Sequence, residues 1–252
     1  MLKKIFISVV FALFSIYLIV AVTMFNNRPA DQVCRDVVLV IKDTMNAGFV
    51  TQREITDMLH NNSLDPVGKQ MDDVKTLPIE EVLSKHVLID EVEVYKTLSG
   101  KLRVEVTQRI PILRIMSRNG ENYYIDNKGK VMPMHIRCIS HLPVVTGFVE
   151  KSYAMGDLYR FGLFLHKNKF WDAQIEQIHV SKNKEVELVP RVGDHIVFLG
   201  KLQGFDNKLD RLKRFYQNGL NKVGWNKYSR INLEFDNQIV CTKWEQEEQA
   251  SR

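Results

Sequence analysis

The residues best suited to metal chemistry in this chain are His135, Cys138 and His141, spaced three apart. Imidazole nitrogen and thiolate sulfur are zinc ligands, and a structural zinc site closes with four of them. No fourth ligand stands at a usual spacing, and the trio falls in what reads as a connecting loop, so the pattern predicts plain surface residues, no metal and no cofactor. The acidic pairs Asp72-Asp73 and Glu80-Glu81 stand beside or on the first turn of an expected helix. Carboxylates there complement the helix dipole, and solvated charge explains them better than acid-base catalysis. The patterns G-x-S-x-G, H-E-x-x-H, a glycine-rich phosphate loop and paired C-x-x-C do not occur. The strongest local signatures of nucleophilic, metal and nucleotide chemistry are therefore missing, which points away from an enzyme. Cys34, Cys138 and Cys241 are odd in number and fall in a linker, a loop and a strand, so they suggest no disulfide framework, and Cys241 reads as a small apolar strand residue.

What remains is recognition chemistry near the end of the chain. Arg230 to Phe235 and Gln238 to Trp244 flank Asp236-Asn237 and read as a hairpin. At a sheet edge, the free N–H and C=O groups of its last strand would accept a strand from another protein. Ile231, Leu233 and Phe235 read as the core face of the first strand. Ile239, Val240, Cys241 and Trp244 lie on the last strand, followed only by a polar tail, residues 245–252, expected to be disordered. Each backbone hydrogen bond adds about 0.5 to 1.5 kcal/mol net, so four or five cannot offset the entropy lost on association. Apolar anchors are required, and Trp244, Tyr228 and Phe215 are the aromatics that could supply them.

These residues need a scaffold, and the 252-residue chain has room for one or two domains at 26% charged and 45% hydrophobic. The net charge of +5 is spread along the sequence without an aromatic-laced basic stripe, which argues against a nucleic-acid partner. Residues 5–25 carry no formal charge. As a helix they would be roughly 31 Å long, about the thickness of a bilayer's hydrocarbon core. Lys3 and Lys4 precede the run, so it reads as a retained single-pass anchor with a four-residue cytoplasmic stub and the remaining chain exported. A cleaved signal peptide fits less well, because the run is long and Ala21-Val22-Thr23 is a poor cleavage site.

Residues 26–35 read as a polar linker. Asp36 onward gives a strand, a turn at Asn46-Ala47-Gly48, and a helix from Gln52 announced by the capping box Thr51-x-x-Glu54. A second helix over 79–85 has Pro78 at its entry, and strands over 88–97 and 101–109 turn at Leu98-Ser99-Gly100. The order strand, helix, helix, strand, strand predicts an α+β domain over 36–110, two helices laid on a three-stranded sheet. Alternation of Leu102, Val104 and Val106 with Arg103, Glu105 and Thr107 makes the third strand half-buried. Proline at 111 cannot donate to a ladder and holds Ile110 extended, so Gln108, Arg109, Ile110 and Pro111 read as a stiff interdomain hinge. Residues 111–244 predict a strand-rich β domain with two helices, one opened by Asp157 and one over 206–220.

The order of parts and several short motifs resemble the bacterial cell-division family FtsQ, called DivIB in some bacteria. The motifs are Ile79-Glu80-Glu81-Val82-Leu83, Gln108-Arg109-Ile110-Pro111, Tyr124-Ile125-Asp126-Asn127-Lys128-Gly129, Leu142-Pro143-Val144-Val145-Thr146-Gly147, Lys208-Leu209-Asp210-Arg211-Leu212 and Ile231-Asn232-Leu233-Glu234-Phe235. Tyr123-Tyr124 with Met132-Pro133-Met134 is similar to versions from the Bacteroides group, while Asn232 replaces an aspartate common in the family. The resemblance implies that the small domain is a POTRA module. It also implies a non-catalytic scaffold of the divisome, in the cytoplasmic membrane at the septum, whose last strands and adjoining helix receive FtsB and FtsL. Two other readings stay open: an anchored envelope hydrolase using the His-Cys loop, and a POTRA-type assembly factor for exported chains.

Overall fold

A computed structural model describes residues 2–26, 32–42, 50–134 and 142–244. The chain divides into two compact units, one of residues 1–42 and 50–107, the other of 43–49 and 108–252. The expected turn at Asn46-Ala47-Gly48, the His135-Cys138-His141 loop and the polar tail lie outside the described residues.

Helix α1 spans Leu2–Asn26, and Phe11, Phe14, Ile16 and Tyr17 on it are exposed. Among the described residues no helix is long and apolar enough to cross a membrane. Within α1 the unbroken run of described side chains is 10–22, so an anchor here is carried by the sequence alone.

The rest of the first unit runs β1 (Asp36–Lys42), α2 (Gln52–Asn61), α3 (Thr76–Ser84), β2 (Ile89–Lys96) and β3 (Lys101–Gln108). It has the expected α+β order. β3 is central, with β1 parallel on one side and β2 on the other. Thr51 and Glu54 exchange both bonds of the capping box, at 3.2 and 2.9 Å, which fixes where α2 begins. Leu102, Val104 and Val106 of β3 are fully buried, as are Ile55, Leu59, Ile79 and Leu83 of the helices. α3 starts at Thr76, before Pro78, which still falls in the first turn where its missing N–H costs nothing. Residues 32–35, read from sequence as linker, instead join this unit. The Cys34 N–H donates to Lys69 O at 2.8 Å, Gly68 N–H donates back to Cys34 O at 2.9 Å, and Cys34 is buried.

The second unit runs β4 (Pro111–Ser117), β5 (Asn122–Asp126), β6 (Val131–Pro133), β7 (Val144–Gly147), α4 (Lys151–Tyr153), α5 (Tyr159–Lys167), α6 (Lys169–Gln174), β8 (Ile175–Val180), β9 (Val186–Pro190), β10 (Ile196–Gly200), α7 (Phe205–Phe215), α8 (Asn221–Val223), β11 (Tyr228–Asn232) and β12 (Val240–Lys243). Its nine strands form one sheet in the order β12-β11-β10-β9-β8-β7-β4-β5-β6. The sheet is mixed: β4, β7 and β8 run parallel, β10 and β11 run parallel, and the remaining described neighbours are antiparallel. Parallel neighbours need a crossover, and helices α4 to α6 supply it between β7 and β8, as α7 and α8 do between β10 and β11. Leu158, Phe161, Leu165, Trp171, Leu209, Leu212 and Tyr216 of these helices are buried in one core with Ile115, Val145, Ile178, Leu188, Val197 and Ile231 of the strands.

The expected helix opening at Asp157 begins earlier, at Lys151, and Asp157 lies inside a π-helical turn, Ala154–Leu158, paired with Arg160. An acidic residue beside an apolar run resembles a cap locally, but here it faces solvent from within the helix. Two helices were expected, and α6 is an added short one, capped by the Asn168 side chain accepting from Phe170 N at 3.1 Å. Gly162 lets α5 approach β4, since a Cβ there would stand 2.6 Å from the Leu113 side chain.

Candidate functional site

The final hairpin forms in a parallel setting and is shorter than expected. β11 ends at Asn232, so Phe235, expected on the core face, is 47% exposed. β12 spans only Val240–Lys243, with Ile239 and Trp244 just outside it. β11 enters alongside β10, with Val197 opposite Ile231, and β12 returns antiparallel, with Cys241 opposite Ile231 and Val240 opposite Asn232. β12 therefore occupies one end of the nine-stranded sheet. Burial sorts the expected anchors. Cys241 shares a face with the fully buried Ile231 and, with Ile239, Phe215 and Tyr228, packs partly against the core. Phe215 and Tyr228 meet with ring centroids 6.2 Å apart. Val240 and Trp244 are left outside, at 43% and 44% exposure. Of the six expected partner-binding residues, four are thus half-taken by the fold and two are free for a partner. Burial pushes the Cys241 thiol up from its ordinary range.

Lys208, Arg211 and Lys213 are basic residues of α7 away from its buried Leu209 and Leu212. Arg211 holds the hairpin turn, and Lys208 holds the end of β10. The Arg211 guanidinium donates to the carbonyls of Leu233 at 3.0 Å and Gln238 at 3.4 Å, and also to those of Phe235 and Asp236. Lys208 Nζ donates to Leu199 O at 2.9 Å and Lys201 O at 3.0 Å, at the end of β10, and burial lowers its pKa. A planar fork of five donors suits Arg211 to a turn whose carbonyls converge. The only available signal is that the sequence places this arginine within one of the family-like motifs.

Behind the hairpin lies a polar contact that sequence reasoning missed. His195, 1% exposed at the entry to β10, pairs through Nε2 with the Tyr216 hydroxyl at 2.9 Å. Trp225 packs on Tyr216 at 4.9 Å and its indole N–H donates to Asn221 Oδ1 at 3.1 Å. Desolvation holds the imidazole below its ordinary range, so it is neutral near pH 7.

The expected hinge residues show a specific local role. Pro111 opens β4 and Gln108 is buried at the end of β3. Arg109 pairs with the buried Asp126 at 2.6 Å and also donates to Val131 O at 3.0 Å. Asp126 Oδ1 in turn accepts from Lys128 N at 3.0 Å and Lys130 N at 2.7 Å, while Ile110 O accepts from Asn127 N at 2.9 Å. Two motifs separate in sequence, Gln108–Pro111 and Tyr124–Gly129, are therefore one network that closes the β5–β6 hairpin.

Among the described residues no group of three or more His, Cys, Asp or Glu could hold a metal ion. The family described as FtsQ/DivIB, C-terminal related, matches residues 110–242, and a POTRA-like domain matches 32–107. A comparison with curated proteins gave no match. The C-terminal match alone spans more than half of the chain, runs from Ile110 into β12, and contains Asp126, Arg211 and the turn of the final hairpin: the chain belongs to the FtsQ/DivIB family.

Proposed function

We propose that this protein is a non-catalytic, single-pass scaffold of the bacterial divisome that captures partner proteins of the FtsB/FtsL type by strand addition to β12. An FtsQ/DivIB-related domain following a POTRA-like domain marks a cell-division scaffold. The observation that carries the finer reading is the position of β12 at the end of the sheet, with Val240 and Trp244 exposed beside a Phe215–Tyr228 pair. A strand arriving there would gain ladder hydrogen bonds and two apolar contacts. These contacts supply what backbone bonds alone do not.

Residues 5–25 would anchor the chain in the cytoplasmic membrane with the N-terminus inside, and the POTRA-like domain and anchor would place it at the septum. Gln108 to Pro111 would set the pose of the two domains. Because Arg109 is tied to Asp126, a flexible insertion testing that role belongs before Gln108. Retained septal localisation and partner binding after such an insertion would remove the hinge from the account.

The test of strand addition is partner capture by Val240→Asp and Thr242→Pro. Neither side chain is buried, so the β domain should keep its circular dichroism while pull-down of the FtsB/FtsL-type partner falls at least tenfold. Unchanged capture by both variants contradicts strand addition.

A further inference from the structure

We infer that the carboxyl ends of β4, β7 and β8 form a second protein-docking site, one that takes an acidic peptide segment bearing an aromatic or branched apolar side chain. The site goes beyond the β12 reading and is separate from it, because β9, β10 and β11 stand between β8 and β12 in the sheet.

The three strands are parallel and end together, at Ser117, Gly147 and Val180. Chains leaving the carboxyl ends of parallel strands diverge and leave a crevice, which is where open sheets with helical crossovers bind ligands. A cavity of about 480 Å³ lies at this point. That is within the range of built ligand sites and large enough for a bulky side chain. Its walls include Phe148 and Tyr153, and its rim carries Arg118, Lys182 and Lys184 against the single carboxylate Glu150.

The placement of these groups is fixed by the backbone. Gly147 has φ of +96°, and a Cβ there would sit 2.1 Å from Val180 O, so only glycine lets β7 close on β8. The next residue's N–H then donates to that same carbonyl at 2.9 Å, which sets Phe148 in the wall. Arg118 and Lys182 both lie over the Phe148 ring, 5.1 and 5.3 Å from its centroid, and Lys184 lies 5.4 Å from the Tyr153 centroid. Lys184 holds this position with φ of +60°, a conformation costly for a lysine and free for a glycine.

Charge decides the occupant. Among the described residues neither Arg118 nor Lys182 has a carboxylate within ion-pair distance, and Lys184 reaches Glu150 only at 4.0 Å. Three cations gathered over two aromatic rings repel one another until an anion joins them. Exposed ion pairs are individually weak, so a lone small anion would gain little, whereas an apolar side chain in the cavity with carboxylates beside it satisfies both walls and rim.

The test uses the full chain in detergent micelles and a dye-labelled, capped hexapeptide containing three glutamates around one tryptophan, read by fluorescence anisotropy. Binding is expected, weakened at least tenfold when the glutamates are replaced by lysines, when the tryptophan is replaced by serine, or in the double variant Lys182→Glu, Lys184→Glu. Those lysines are exposed, so the variant should fold. The Val240→Asp variant should bind this peptide as the parent does, which separates the site from β12. No binding at millimolar peptide, equal binding of the lysine peptide, or an unaffected double variant would each overturn the assignment. Displacement of the peptide by phosphatidylglycerol vesicles but not phosphatidylcholine vesicles, lost in the double variant, would reassign the patch to a membrane surface and overturn protein docking.

Discussion

At the residue scale, the fold and the proposed docking hairpin rest on a few polar side chains that satisfy backbone far away in sequence. Arg211 serves carbonyls from Leu233 to Gln238. Truncating it leaves several acceptors short of a donor, and charged hydrogen bonds are worth about 1.5 to 3 kcal/mol. Arg211→Ala should lower stability by about 2 kcal/mol in denaturant titration and weaken partner capture more than Arg214→Ala, which removes an exposed arginine of the same helix. Asp126 offers a sharper case. It is 1% exposed and bound to Arg109, so Asp126→Ala strands a guanidinium and loosens the β5–β6 turn. About 3 kcal/mol of destabilisation is expected, as for other broken buried pairs. His195 gives a pH dependence whose sign follows from burial. The unfolded chain takes up a proton near 6.5 and the folded chain resists it, so stability contributed by neutral His195 is complete above about pH 6.5 and is lost as pH falls below it. His195→Gln should flatten the fall in Tm between pH 6.5 and 5 relative to the parent. An equal slope in both would show that the buried imidazole is not linked to folding. Glu105 acts in a lower range. Lys42, Tyr95 and Arg103 hold its carboxyl down to about 2, so its contribution is intact between pH 6.5 and 5 and is lost as pH falls from the ordinary carboxylate range to about 2.

At the element scale, the periodic segments were readable and their partners were not. The alternation along β3 reported a half-buried strand because one face meets the helices and the other meets water. The capping box located α2 because both of its bonds are local. Helix α7 declared its apolar stripe through Leu209 and Leu212. Strand direction was not readable: the parallel pairing of β10 with β11 and of β7 with β8 depends on crossovers that form only when the helices dock. Nor was the job of Glu80, which sits on the first helical turns of α3 but accepts from Val94 N on β2 at 2.9 Å. Long-range polar contacts leave no periodicity. In the candidate site the aromatic and strand positions were found, yet the division of Cys241 from Val240 required the register of β12 on β11. In the sequence Gly147 stands out only as the last residue of a family-like motif. Gly147→Ala should cost at least about 2 kcal/mol, since the positive φ and the contact with Val180 O are both violated, whereas Gly156→Ala, which meets open space within a helical turn, should be neutral or stabilising.

For the whole molecule, two compact units carry different kinds of surface. The first is a small sheet covered by two helices, with a Lys42–Glu105–Arg103 cluster on its strands. The second spans the FtsQ/DivIB-related match and ends in a strand at the limit of its sheet. The central claim is that β12 receives a strand from a partner. Hydrogen–deuterium exchange on the full chain, with and without an FtsB/FtsL-type partner, addresses it directly. Bound partner should slow exchange of the Val240–Lys243 amides at least tenfold, with smaller protection at Phe215 and Tyr228. Partner binding that leaves those four amides exchanging at the rate of the free protein would contradict it.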